Sequence, residues 1–250
     1  MKLKHQLIVW FSIFALCLGW RVFLIKEFPL VYSFDGWTRL WEADVLFVRR
    51  WLPLPQLPIM FAYKFGLGLL FIRCCFAFFG AFSVVTMGIG VSRILKSDLL
   101  GMVAAVLLGT MANFVLWSLV PYQEGLMFCF IGLFLIFSPY AYKDSQNREY
   151  WLAGIFLTLA ALCRYEAWIF IILVCIRFVL EKKWRVLKSF IPAILVLPLW
   201  IVILQFAEIH PGPPRSVGAL EPINFMALQN FSLALALFRS ALGFLIYDLF

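Results

Sequence analysis

The feature that most constrains this chain is a succession of apolar runs near bilayer length, separated by short polar stretches. A helix crosses a membrane with about 20 apolar residues. Residues 7–25, 62–91, 99–119, 126–142 and 190–207 are runs of this kind, and residues 231–247 begin another. The chain is 64% hydrophobic and only 14% charged, where a soluble domain carries about 25% charged residues. The expected fold class is therefore all-α: a polytopic transmembrane helical bundle of about eight apolar segments, with residues 1–250 as a single transmembrane domain.

The formal charge of +8 does not form a nucleic-acid patch. It gathers in short loops, with Arg93 and Lys96 in residues 92–98, Lys143 and Arg148 in 143–149, and Lys182, Lys183, Arg185 and Lys188 further on. The positive-inside rule puts these loops in the cytoplasm. The N-terminus then lies there too. No small-residue cleavage site follows residues 7–25, so they are expected to be a retained anchor. Residues 26–61, 120–125 and 208–230 become outer loops. Thirty residues, 151–180, make about 45 Å of helix, too long for one upright crossing and too short for two. A short hairpin with its tip at Arg164-Tyr165-Glu166 keeps both flanking basic groups in the cytoplasm; one long tilted helix would invert everything downstream. The six cysteines all lie in apolar runs and are expected to be small packing residues, not disulfides or metal ligands. The expected location is a plasma or inner membrane in preference to the endoplasmic reticulum.

Residues 33–58 are the one long polar interruption in the first third of the chain. Phe34, Trp37, Trp41, Val45 and Val48 recur at spacings of three and four, with Asp35, Arg39, Glu42 and Arg49 on the other side. This predicts an amphipathic helix lying in the membrane interface. Ser33 would cap it, and Asp35 would sit in its first turn. Asp35 is either a first-turn acid that complements the helix dipole or a general base at the mouth of a bundle. Glu124, in PYQEG, has the same two readings at the start of the fourth run. Any divalent cation would fall to these two acids, although no metal-ligand spacing is readable. Arg164 and Glu166 are ionisable groups inside an apolar stretch: an ion pair that ties the hairpin tip, or a phosphate site. Arg49, Arg50 and Lys64 either anchor the interface or meet a lipid phosphate. Arg73 and Arg239 lie deeper, and each needs a partner that the sequence does not name. His210 reads as a loop residue, and the sequon at Asn230 abuts a span.

Three segments together resemble the membrane glycosyltransferases of the GT-C fold, a group that includes protein O-mannosyltransferase-like and aminoarabinose transferase-like enzymes. They are FDGWTRLWEADVLFVRRWLPLP in the first outer loop, PYQEG in the second, and AGIFLTLAALCRYEAW, a small-residue helix ending in Arg-aromatic-Glu. The resemblance spans residues 1 to about 185. It implies a polyprenyl-phosphate sugar donor presented from the non-cytoplasmic leaflet and transfer with inversion. Asp35 would be the base and Glu124 its assistant. The leaving phosphate would be held by Arg164 and Arg50, with Arg49, Lys64, Glu166 and Trp37 also on the substrate. Relatives often carry a pair of acids where this chain has Asp35-Gly36, and they are longer, so a fragment, a short variant or an incomplete reading frame is the expectation. No cofactor beyond a divalent cation is implied. The competing reading is a non-enzymatic membrane protein, either a transporter or flippase or an assembly subunit, or else an inactive truncated paralogue. A transporter is expected to carry its polar groups near the bilayer midplane, whereas these acids cluster in outer loops and turns.

Overall fold

A computed structural model of the chain describes residues 3–28, 34–41, 43, 44, 46, 52–138 and 147–206. All belong to one compact unit. Among them the regular structure is entirely helical. The outer loop expected at 208–230, the run at 231–247 and residues Ser33, Glu42, Val45, Val48, Arg49, Arg50, Lys143, His210, Asn230 and Arg239 lie outside the described residues.

The first apolar run is α1, Leu3–Glu27. The helix expected in the membrane interface is α2; it covers Phe34–Trp41 and is shorter than the pattern predicts, which would have carried it to Arg49. A 3₁₀ turn at Leu54–Gln56 leads into α3, Leu57–Lys64. The run expected as one span over 62–91 is broken: the chain turns at Gly66 (φ 67°), a left-handed conformation that suits glycine, before α4, Leu69–Leu95. The 99–119 run is also divided, into α5, Asp98–Thr110, and α6, Ala112–Trp117, at an extended Met111. Then come α7, Glu124–Phe137; α8, Asn147–Ala161; α9, Glu166–Leu180; α10, Trp184–Ser189; and α11, Ile191–Phe206. Residues 151–180 are thus two helices, interrupted at the tripeptide that the sequence marks. Among the described residues two helices, α1 and α4, are long and apolar enough to cross a membrane. At 13 to 16 residues, α5, α7, α8, α9 and α11 are shorter.

Small residues set the order of the helices. α4 is the central helix, and α7 lies parallel to it because glycine faces glycine and threonine. A Cβ on Gly125 would lie 3.2 Å from the Gly80 nitrogen, and one on Gly132 would lie 2.6 Å from the Met87 nitrogen. α5 runs antiparallel on the other side of α4, where a Cβ on Gly101 would meet the Gly88 carbonyl at 2.5 Å. Close backbone approach of this kind is how helices associate where apolar burial gives little driving force. α8 packs antiparallel to α7, and Gly154 of α8 receives the Ser189 carbonyl at the end of α10. α9 folds back beside α8: Phe178, near its end, stacks on Phe190, which follows Ser189.

One end of the bundle therefore collects the C-termini of α1, α6 and α8 and the N-termini of α4, α7 and α9. Two buried arginines tie this end together. Arg73 of α4 donates to the Leu119 carbonyl (2.9 Å) and the Ile25 carbonyl (3.5 Å), which close α6 and α1. Arg21 of α1 donates from Nε to the Ser118 hydroxyl (2.7 Å) and lies over the Phe114 ring. The Arg73 acceptors are helix C-terminal carbonyls, at the negative ends of helix dipoles, so this buried cation is compensated without a carboxylate. The partner of Arg73 that the sequence withholds is thus backbone. Arg21, 0% exposed, sits within a run read simply as an anchor.

The opposite end holds the N-terminus of α5, where Ser97 caps the helix and Asp98 accepts from Ser92 (2.8 Å) and Gln6 (3.0 Å). Exposed Arg93, Lys96, Lys182 and Lys183 also lie here.

Candidate functional site: a carboxylate–guanidinium cluster

Glu124 opens α7 and Glu166 opens α9, and Arg164 stands between them. Each acid occupies the first turn of its helix, where unpaired backbone N–H groups and the dipole favour negative charge. The break between α8 and α9 lets the Arg164 side chain reach both. Its Nε and Nη2 grip the two oxygens of Glu166 at 2.8 and 2.6 Å, a bidentate fork. Its Nη1 bonds Glu124 Oε1. The other Glu124 oxygen, Oε2, is buried and has no hydrogen-bond partner among the described residues. Glu124 itself is 6% exposed. A buried carboxylate with one oxygen fixed and one uncommitted is an acceptor waiting for a proton donor or a cation.

α2 reaches the same cluster. Arg39 Nη2 donates to Gln123 Oε1 at 2.7 Å, one residue before Glu124. The Gln56 side chain donates to the Arg39 carbonyl at 3.0 Å, satisfying one of the last acceptors of α2. Leu54 donates to the Leu162 carbonyl at 3.2 Å, so the segment after α2 is hydrogen-bonded to the α8–α9 break. The sequence places Arg39 on the water face of a surface helix; the structure buries it, with Gly36 and Thr38, against the bundle. The reason is polar satisfaction: the bundle end offers a glutamine acceptor that an amphipathic pattern does not reveal.

Asp35 lies in α2 one turn before Arg39, and Trp37 lies between them; α2 side chains are described for Gly36, Thr38, Arg39 and Leu40. Lys64 is exposed at the end of α3 and borders a different cavity, with Asp44. The structure thus brings together Glu124, Arg164 and Glu166, sets the helix of Asp35 against them, and leaves Lys64 apart.

Arg39, Gln56 and Gln123 were missed as site residues. A charged side chain between Trp37 and Trp41 was the available signal for Arg39, and Gln123 lies within PYQEG. On the far side of the hairpin tip, Tyr165 makes an edge-to-face contact with Trp168 (4.8 Å between ring centres) and accepts from Trp200 Nε1 at 3.3 Å. The Trp168 indole N–H donates to the Ala161 carbonyl at 3.0 Å, closing the break. Among the described residues no three His, Cys, Asp or Glu side chains group as metal ligands. Between Glu124 and Glu166 the guanidinium of Arg164 occupies the place of a bridging cation.

Comparison with protein-family models, with curated proteins and with solved structures gives no match.

Proposed function

We propose that the chain is an integral membrane glycosyltransferase that moves a sugar from a polyprenyl-phosphate donor to an acceptor on the non-cytoplasmic side, with inversion. The observation that carries this reading is the buried Glu124 carboxylate, fixed by Arg164 with Oε2 uncommitted, at the bundle end where α2 brings Asp35.

Residence in a membrane is supported by the outer surface. Phe11 and Leu16 of α1 are 71% and 74% exposed, and large apolar side chains of α4, α5 and α11 are exposed too. Exposed apolar side chains on so many helices fit lipid better than water. The basic end, with Arg93, Lys96, Lys182 and Lys183, then faces the cytoplasm, and the carboxylate end faces outward. The shorter helices, packed against α4, α7 and α8, and the α8–α9 hairpin complete the multi-pass bundle.

In the reaction, the Asp35 carboxylate takes the proton of the acceptor hydroxyl while that oxygen attacks the anomeric carbon. The bond from that carbon to the phosphate oxygen breaks, and polyprenyl phosphate leaves with the electron pair. Glu124 Oε2 accepts a hydrogen bond from the sugar or the acceptor and orients it. Arg164 is a positioning residue: its donors are held by two carboxylates, so the charge of the leaving phosphate falls to Arg49 and Arg50. No step requires a cation. The full pairing of Arg164 favours one other reading, a structural ion-pair network in a non-catalytic membrane subunit.

Turnover separates the two. Full-length protein in lipid nanodiscs is incubated with polyprenyl-phosphate hexoses and pentoses, and release of polyprenyl phosphate is measured. The enzyme reading expects release by the wild type, and its loss by about 100-fold or more in Asp35→Asn at unchanged melting temperature. Absence of release with any donor, or release indifferent to Asp35→Asn, rejects it.

A further inference from the structure

A second cavity, of about 790 Å³, opens beside α3 and is separate from the Glu124–Arg164 cluster. Its floor is aromatic and aliphatic, with Phe61 from α3, Phe79 from α4, and Leu126 and Phe130 from α7. Its polar lining groups are few. Asp44, in the turn after α2, and Lys64, at the end of α3, both border it, both are exposed, and no ion pair joins them among the described residues. The volume falls within the range of small-molecule sites, and an apolar floor with a few convergent polar groups is their usual composition.

We propose that this cavity binds a single phospholipid whose head group carries a primary ammonium. An acyl chain covers the phenylalanine floor. The phosphate meets the Lys64 ammonium, and the lipid ammonium meets the Asp44 carboxylate. The charge pattern selects the head group. An anionic lipid without an amine would satisfy Lys64 but bring its charge towards Asp44. A choline head group is cationic but has no N–H to donate to a carboxylate. The exposed rings of Tyr63 and Phe65 at the rim suit an occupant that arrives from the bilayer. The inference rests on membrane residence and not on sugar transfer, since binding is read without turnover.

The test is native mass spectrometry of the full chain in detergent, titrated separately with phosphatidylethanolamine, phosphatidylcholine and phosphatidylglycerol of matched chains. The expected result is one retained phosphatidylethanolamine per protein, bound at least about threefold more tightly than either competitor, the scale of exposed charge pairs. Lys64→Gln should weaken it about threefold, and Asp44→Asn should remove the preference over phosphatidylglycerol. Lys96→Gln, at the opposite end, should change nothing. Equal affinity for the three lipids, tighter binding of phosphatidylglycerol, or a phosphatidylethanolamine preference untouched by both Asp44→Asn and Lys64→Gln would overturn the proposal. Both residues are exposed, so the variants fold, and their melting temperatures verify it.

Discussion

Replacing Arg164 by Met tests the cluster at its centre. The change keeps most of the side-chain volume but deletes three charge-assisted hydrogen bonds, two to Glu166 and one to Glu124. The Arg164 side chain is 18% exposed, and those of Glu124 and Glu166 are 8% and 20% exposed, so water replaces little of what is lost. Removing one member of a buried ion pair costs about 3–5 kcal/mol because the remaining charge is left uncompensated. The lower figure fits the partial exposure here. At about 2–4 °C per kcal/mol for a chain of this size, the melting temperature should fall by about 6–12 °C. The six free cysteines provide the assay: a thiol-reactive fluorophore reports unfolding in detergent as buried Cys129 and Cys163 become accessible. Adding Glu124→Gln to Arg164→Met should recover part of the loss, with a coupling of at least about 1 kcal/mol, because neutral glutamine tolerates the missing cation. Arg164→Lys should not restore the wild-type value, since an ammonium cannot make the bidentate fork. A shift below about 2 °C for Arg164→Met, or strict additivity in the double variant, would refute the reasoning.

Further outcomes follow from the same geometry. Glu124→Gln should lower turnover by about 100-fold while keeping the fold, measured by donor release beside a melting curve. Gly132→Ala should destabilise the α4–α7 contact by about 1–3 kcal/mol, because the new methyl meets the Met87 backbone nitrogen at 2.6 Å. Arg73→Met should destabilise by a similar amount, about 1–3 kcal/mol, through the unpaired Leu119 and Ile25 carbonyls, and should loosen α1 first in hydrogen exchange. Hydrogen bonds from Ser92 and then Gln6 hold the Asp98 carboxyl below its ordinary range. Its contribution to stability is therefore present above the unfolded value of about 3.9 and is lost as pH falls through the lower folded value. Melting curves from pH 6 to pH 2 should show that acid limb shallower in Asp98→Asn.

Apolar periodicity made the helical class legible, and charge at 164–166 made the break in residues 151–180 legible. The acids at Glu124 and Glu166 were readable because helix starts favour them. Other features escaped for physical reasons. The division of 62–91 turns on one left-handed Gly66 inside an apolar run, where glycine is common and carries no signal. The shortness of α2 and the burial of Arg39 depend on Gln123 and Gln56, which are distant in sequence. Arg73 is answered by backbone carbonyls and Arg21 by the Ser118 hydroxyl, far away in the chain, which no residue pattern displays. Of the two readings of Arg164, an ion pair at the hairpin tip and a phosphate site, the structure displays the ion pair, with the fork filled by carboxylates.

The account depends on the carboxylate end and the basic end of the bundle facing opposite sides of a bilayer. Lys64 and Lys96 are exposed at these two ends. In a chain whose native cysteines are replaced, a cysteine at position 64 should react with a membrane-impermeant maleimide only from the non-cytoplasmic side, and one at position 96 only from the cytoplasm. Labelling of both positions from the same side would contradict it.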